Sequence, residues 1–245
     1  MHSKNLNIEV LPPDINESYI KFTVSEKYIR FGLAAVKNVG INAITSIIRG
    51  REEKGKFKSL YDFLNKVDLS LINKRAVESL IKCGAFDSLG AKRSQMLAVH
   101  EKLMDGVQEQ KKRNVEGQLS LFDTIETTET MEQNIYPNIE EYPQNMLLSM
   151  EKEMLGLYVS GHPLLEYKDI LDKRVSITTA DLIKHSDEED VEKDIEDLSL
   201  DGQKVIMGGI FASIKQKSTK NNAMMAFAQL EDLYGTIEVI IFPKT

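Results

Sequence analysis

Apolar positions along the chain change their spacing several times. Residues 6–31 read as extended. Ile8-Glu9-Val10-Leu11 is a short run stopped by Pro12-Pro13, and Phe22-Thr23-Val24 and Tyr28-Ile29-Arg30-Phe31 alternate as strands do. From Leu33 the spacing becomes helical. Leu33, Val36 and Val39 share a face up to Gly40; Ile41, Ile44, Ile47 and Ile48 make a second face that should end at Gly50 or soon after. Phe57, Leu60, Phe63, Leu64 and Val67 predict another helix. Asn73 is placed to cap a helix carrying Ala76, Val77, Leu80 and Ile81, which Gly84 stops. After a turn at Asp87-Ser88-Leu89-Gly90, a longer helix should start near Ala91, with Met96, Leu97, Val99, Leu103 and Met104 on its apolar side.

Beyond residue 113 the pattern breaks. Residues 114–145 are rich in Asn, Thr and Glu, with Pro137 and Pro143, and read as a flexible linker. Residues 146–186 read as a helical connector: Leu147, Met150, Met154, Leu157 and Tyr158 are amphipathic as far as Ser160-Gly161-His162-Pro163. Residues 187–201 form an acidic linker. The last segment, 202–245, turns to β: a strand over Val205–Phe211 with a glycine bend, a second over Met224–Leu230, a turn at Asp232-Leu233-Tyr234-Gly235, and a third over Thr236–Phe242. The expected class is α+β, an all-α domain followed by a small partial β-barrel.

Composition narrows the picture. The chain has 245 residues, 42% hydrophobic and 28% charged, as ordinary soluble domains have. A single cysteine, Cys83, excludes an internal disulfide framework and fits a reducing, cytoplasmic setting. No run of eighteen apolar residues suggests a membrane span, and no apolar segment near Met1 suggests a secretion signal. The net charge of −7 hides a polarity: residues 1–113 carry 20 Lys+Arg against 13 Asp+Glu, and the remainder 11 against 25. A basic half suits a polyanion; it is also what simple solvation can look like.

Candidate chemistry is of the binding kind. Leu33 to Ile44, with the turn Asn38-Val39-Gly40, resembles a helix-hairpin-helix, in which backbone N–H groups at a helix start face a DNA phosphate. Asn38 stands where such turns usually have their first glycine, and Asn tolerates the left-handed region. The alternative is an αα corner that only packs. Leu80 to Phe86, followed by Asp87–Gly90 and the helix start at Lys92-Arg93, looks like a degenerate second unit. Lys37, Lys74, Arg75, Lys92 and Arg93 are the candidate phosphate contacts, with the Asn38-Val39-Gly40 backbone. Residues 204–242 resemble the first three strands of an OB-fold. There Lys215, Lys217 and Lys220 could meet single-stranded DNA, and Phe211 and Phe227 are either stacking faces or barrel core. His2, His100, His162 and His185 are scattered without metal-ligand spacing, and no phosphate-binding Gly-Lys-Ser/Thr loop is present. Glu231-Asp232 reads as a strand-end turn rather than an acid–base pair.

Gln118-Leu119-Ser120-Leu121-Phe122 sits in the polar linker, where an apolar pair has no core to join unless it folds back on a neighbouring helix. All five residues match the peptide with which bacterial replication proteins grip the ring-shaped sliding clamp. Together with Val10–Asn16, Ile29–Leu33, Gly84–Asp87, Ser160–Leu164 and Leu230–Gly235, in that order, they resemble the bacterial DNA polymerase III alpha-subunit family over nearly the whole chain. The resemblance implies that residues 1–32 end a fingers region and that 33–113 form a tandem helix-hairpin-helix domain. It implies further that 114–145 carry the clamp-binding motif and that 202–245 open an OB domain. Partners would be duplex DNA, the beta sliding clamp, other replisome subunits and, through the OB domain, single-stranded DNA, all in the bacterial cytoplasm. The parent would be a DNA-directed DNA polymerase, a nucleotidyltransferase. Its palm, with the carboxylates that hold two Mg²⁺ ions, would precede Met1, so this stretch should need no metal or cofactor and should be inactive alone. An alternative role is a protein–protein adaptor whose hairpins pack without touching DNA.

Overall fold

The computed structural model describes residues 9–115, 135–182, 202–218 and 223–243, which divide into two compact units between Gly161 and His162. The division falls inside the expected connector, because the helix before it belongs to the core of the first unit. The α+β architecture expected from the sequence is present.

In the first unit, three short strands, β1 (Glu9–Leu11), β2 (Thr23–Val24) and β3 (Tyr28–Arg30), form a sheet in the order β1-β3-β2, with β1 parallel and β2 antiparallel to β3. The boundary expected at residue 32 does not divide the core. Ile15 and Phe31 belong to the same core as the helices. Asn16 pairs with Phe57 in both directions, its amide donating to Phe57 O at 2.9 Å and accepting from Phe57 N at 2.8 Å, and Ile15 N donates to Ala85 O at 2.8 Å.

A 3-10 turn over Leu33–Ala35 leads to α1 (Ile41–Lys54), α2 (Leu60–Lys66) and α3 (Lys74–Lys82), then to a 3-10 turn at Asp87–Leu89 and the long α4 (Arg93–Val115). α5 (Gln144–Leu155) packs on α3. Side-chain oxygens start two of these helices: Ser59 accepts from Asp62 N, and Asn73, as expected, from Ala76 N. Gly50 does not end α1. The helix runs on to Lys54, and Gly50 lets it lie against α2, where an added Cβ would stand 3.1 Å from Lys66 O. Ile44 and Ile47 are buried as expected, whereas Ile41 at the helix start is 54% exposed.

Phe57, Phe63 and Phe86 meet edge to face at 5.1 and 5.0 Å, in a core with Leu60, Leu64, Leu80, Ile81 and Met96. Burying each such side chain contributes about 1.5–3 kcal/mol. Part of the basic excess of this half is consumed by the fold. Lys111 Nζ donates to Leu64 O and Val67 O, both at 2.9 Å, at the negative end of α2. Cys83 is fully buried, and burial pushes its thiol up to about 12.

In the second unit a 3-10 turn (Pro163–Tyr167) and α6 (Lys168–Arg174) precede an antiparallel meander of β4 (Ile210–Ser218), β5 (Met224–Glu231) and β6 (Thr236–Ile241). The expected first strand from Val205 starts late. Gly209 passes so close to β5 that a Cβ would meet Glu231 O at 2.6 Å, and Ile206 is hydrogen-bonded to Ser176 instead. Asp232 makes the predicted turn: it accepts from Tyr234 N, Gly235 N, Thr179 N and Thr179 Oγ1 at 2.5–2.9 Å. Burial works to raise its pKa, but these hydrogen bonds prevail and hold the carboxyl below its ordinary value.

Candidate nucleic-acid interface

The first hairpin keeps its expected turn, but the helix expected over Leu33–Val39 is reduced to the 3-10 turn at Leu33–Ala35, with Val36 already extended. Val36 and Val39 are buried and anchor the turn. Asn38 takes φ 65°, the left-handed region, the only residue other than glycine to do so among those described. Its amide donates to Ser79 Oγ on α3 at 3.0 Å. Gly40 precedes α1 in extended geometry (φ −77°, ψ 157°) and supplies no capping side chain. The N–H groups of Ile41, Asn42 and Ala43 therefore have no acceptor within the helix. Beside them stands the start of α3. The two helix starts border a concavity of about 370 Å³ lined by Asn38, Gly40, Ile41, Asn42, Ala43, Leu71, Asn73 and Ala76. None of these carries a carboxylate. The start of α1 faces this space uncapped, while that of α3 keeps one N–H engaged by Asn73; an uncapped, positive helix end beside open space is the electrostatic requirement of an anion site. Lys37 and Arg75 are exposed nearby in sequence. Lys74 Nζ donates to Asp105 at 2.8 Å, a surface pair 42% and 56% exposed, and Asp105 raises the lysine's pKa.

The second hairpin corrects an expectation. Arg93 does not face solvent. It is 6% exposed; its guanidinium donates to Asp87 at 2.6 and 2.9 Å, to Lys82 O at 3.1 Å and to Glu151 at 3.3 Å. Glu151, on α5, is fully buried and also accepts from Ser160 Oγ at 2.7 Å and from Val159 N and Ser160 N. Gly84, at φ 82°, leaves the room this guanidinium needs, since a Cβ there would lie 2.2 Å from Arg93 Nη2. Arg93 is thus an internal brace between α4, the 83–90 turn and α5, because adjacent helical residues point about 100° apart and only one of the Lys92-Arg93 pair can face out.

The start of α4 is already occupied. Residues 135–143, placed in the linker by their composition, dock on it. Glu141 accepts from Arg93 N at 2.7 Å and from Ser94 N at 3.0 Å. Partial burial pushes its pKa up, but the N–H groups of Ser94, Tyr142 and Arg93 outweigh that and lower it. Lys92 Nζ donates to Ile139 O at 3.2 Å and lies 3.5 Å from Glu140, and Gln95 Nε2 donates to Pro137 O at 2.9 Å. No local pattern foretells this docking, because the partners lie 42 to 48 residues apart.

Of the remaining candidates, Gln118, Leu119, Ser120, Leu121, Phe122 and Lys220 lie outside the described residues. Lys215 and Lys217 are exposed on β4. Lys215 is in register with Phe227, and Lys217 Nζ stands 5.1 Å from that ring's centre, so both lysines share a sheet face with one aromatic. Phe211 is 51% exposed. Among the described residues no three His, Cys, Asp or Glu side chains are grouped to hold a metal ion, and no helix is long and apolar enough to cross a membrane.

The chain is an α+β protein whose residues 7–96 match the helix-hairpin-helix motif family. Over 99% of its length the chain is 42% identical to the DNA polymerase III subunit alpha of Mycobacterium tuberculosis (strain H37Rv). It is 38% identical to those of Borreliella burgdorferi and Thermus aquaticus, again over 99% of its length. The chain is a homologue of one segment of the DNA polymerase III alpha subunits, and it spans about a fifth of the length of these relatives, 20%, 20% and 18% respectively.

Proposed function

We propose that this chain is the segment of a bacterial replicative polymerase that holds duplex DNA and the sliding clamp, acting in the cytoplasm. The observation that carries the DNA reading is the uncapped helix start of α1, in a concavity it shares with the Asn73-capped start of α3, lined by no carboxylate and flanked in sequence by Lys37, Lys74 and Arg75. The backbone of Asn38, Val39 and Gly40 would meet one phosphate; the three side chains would meet neighbouring ones, with Lys92 at the edge. Arg93 would act only by holding the second hairpin in place. Titration with a duplex at two salt concentrations tests this. Affinity of about micromolar or weaker, falling with salt by the equivalent of a few phosphates, supports it. Lys37→Glu combined with Arg75→Glu should weaken binding without changing the far-UV circular dichroism. Binding indifferent to salt and to both charges refutes it.

The clamp reading rests on the five-residue match at Gln118–Phe122. Phe122→Ala should abolish most clamp affinity, which we expect to be on the order of micromolar, and leave the melting temperature alone. The reverse outcome makes Phe122 a core residue. Nucleotidyl transfer would belong to the rest of a longer chain, so primer extension by this segment alone should be nil. Contact with single-stranded DNA through Lys215, Lys217 and Phe227 is a lesser proposal on the same footing. The adaptor reading has one observation in its favour: the Arg93 and Ser94 N–H groups at the second hairpin's helix start are already satisfied from within the chain.

A further inference from the structure

We propose that the start of α4 is an oxyanion site held shut by the chain's own Glu141, so that residues 137–143 act as an internal competitor for a DNA phosphate. The inference rests on the DNA-binding reading above and adds a regulation to it.

The site offers three donors. Arg93 N–H and Ser94 N–H point to the two oxygens of Glu141 at 2.7 and 3.0 Å. The third is the Ser94 hydroxyl. Ser94 is 3% exposed, and its oxygen lies close enough to the carboxylate to favour the charged form, yet it falls outside hydrogen-bonding geometry with any group. A buried hydroxyl without a partner is costly. The two oxygens of Glu141 accept from the N–H groups of Arg93, Ser94 and Tyr142 and leave the hydroxyl aside. A tetrahedral phosphate has a further oxygen to offer, so the donor set fits it better than it fits the group now present.

The occupant is dressed as a competitor. Glu140 and Glu141 approach together, the first to Lys92 Nζ at 3.5 Å and the second to the helix start, as two neighbouring phosphates of one strand would. Glu140 is fully exposed and Glu141 only partly buried, so both can leave to solvent without opening a core. Because the competitor is tethered, it acts at high effective concentration, and the intact site stays closed to free phosphate. A duplex gripping the first hairpin would be tethered too and could displace it.

The test uses the whole chain and Glu141→Ala, titrated first with inorganic phosphate. The Arg93 and Ser94 amide resonances should shift saturably at millimolar phosphate in the variant and stay still in the parent. Ser94→Ala added to the variant should weaken that response several-fold. Duplex affinity of Glu141→Ala should exceed the parent's several-fold, and its salt dependence should steepen by about one phosphate. Glu141→Gln keeps an oxygen for the two N–H groups but loses the charge. It should fall between the two and serves if the alanine variant unfolds. Amides that ignore phosphate in both variants overturn the inference. So does a duplex that binds parent and variants equally, an outcome that leaves the DNA reading intact. Amides that respond while no form binds duplex would sustain the anion site and sink the DNA reading instead.

Discussion

The two hairpins of the first unit solve one problem in opposite ways. The first holds its turn with a left-handed asparagine over buried valines and leaves its helix start bare. The second holds its turn with glycines around a buried ion pair and covers its helix start with a carboxylate from a distant segment. An open site needs only a rigid frame of apolar packing. A closed one needs an occupant, and the occupant must be anchored by its own contacts. The difference teaches that sequence likeness between hairpins does not make their helix starts equally available.

The comparison is most easily broken at Arg93. Arg93→Met strands Glu151 at zero exposure without its counter-charge, and loss of about 3–5 kcal/mol is expected in a denaturant melt. Restoring much of that with Glu151→Met in addition would show that the charge, not the volume, was at stake. No single substitution in the first hairpin's turn should cost as much. Gly84→Ala comes next: a left-handed backbone position and a Cβ placed on the guanidinium predict a loss of about 2 kcal/mol or more. Asn38→Ala should lose about 1 kcal/mol or more, from the backbone region and the hydrogen bond to Ser79, and Asn38→Gly less, because glycine forfeits only the hydrogen bond. Equal losses for Gly84→Ala and Asn38→Ala would show that the two turns are braced alike.

The smallest effect is on pH. Glu141 titrates below its ordinary value in the folded chain. Its stabilisation is therefore fully present above the unfolded pKa, about 4.3, and is lost as pH falls through the lower folded value. Amide exchange at Arg93 and Ser94 should lose protection in that window while exchange near Ala43 and Ile44 does not. A uniform loss across both hairpins would mean that Glu141 is not what distinguishes them.

Much of this frame was legible in the sequence because its causes are local. The 3.6-residue spacing of Val77, Leu80 and Ile81, the cap at Asn73, the left-handed tolerance of Asn38 and the turn at Asp232 each depend on residues a few positions apart. What stayed hidden depends on distance in the chain. Lys92 and Arg93 look alike in the sequence; only the packing of α5 against α3 decides that the second points inward to Glu151. Glu141 sits in a stretch whose composition suggests a linker, and its partners lie 47 and 48 residues away. Gly50 and Gly209 carry the usual marks of chain breaks, yet their role is to let backbones approach. Gln118–Phe122 is the opposite case, legible as a motif but outside the described structure.

Cys83 has a practical consequence. It is the only cysteine in 245 residues, and its buried thiol, pushed up to about 12, presents almost no thiolate at neutral pH. A cysteine introduced on the surface would therefore be the sole reactive thiol of the folded chain. Maleimide dyes or spin labels could be attached at one chosen position, beside either hairpin, without first removing the native residue.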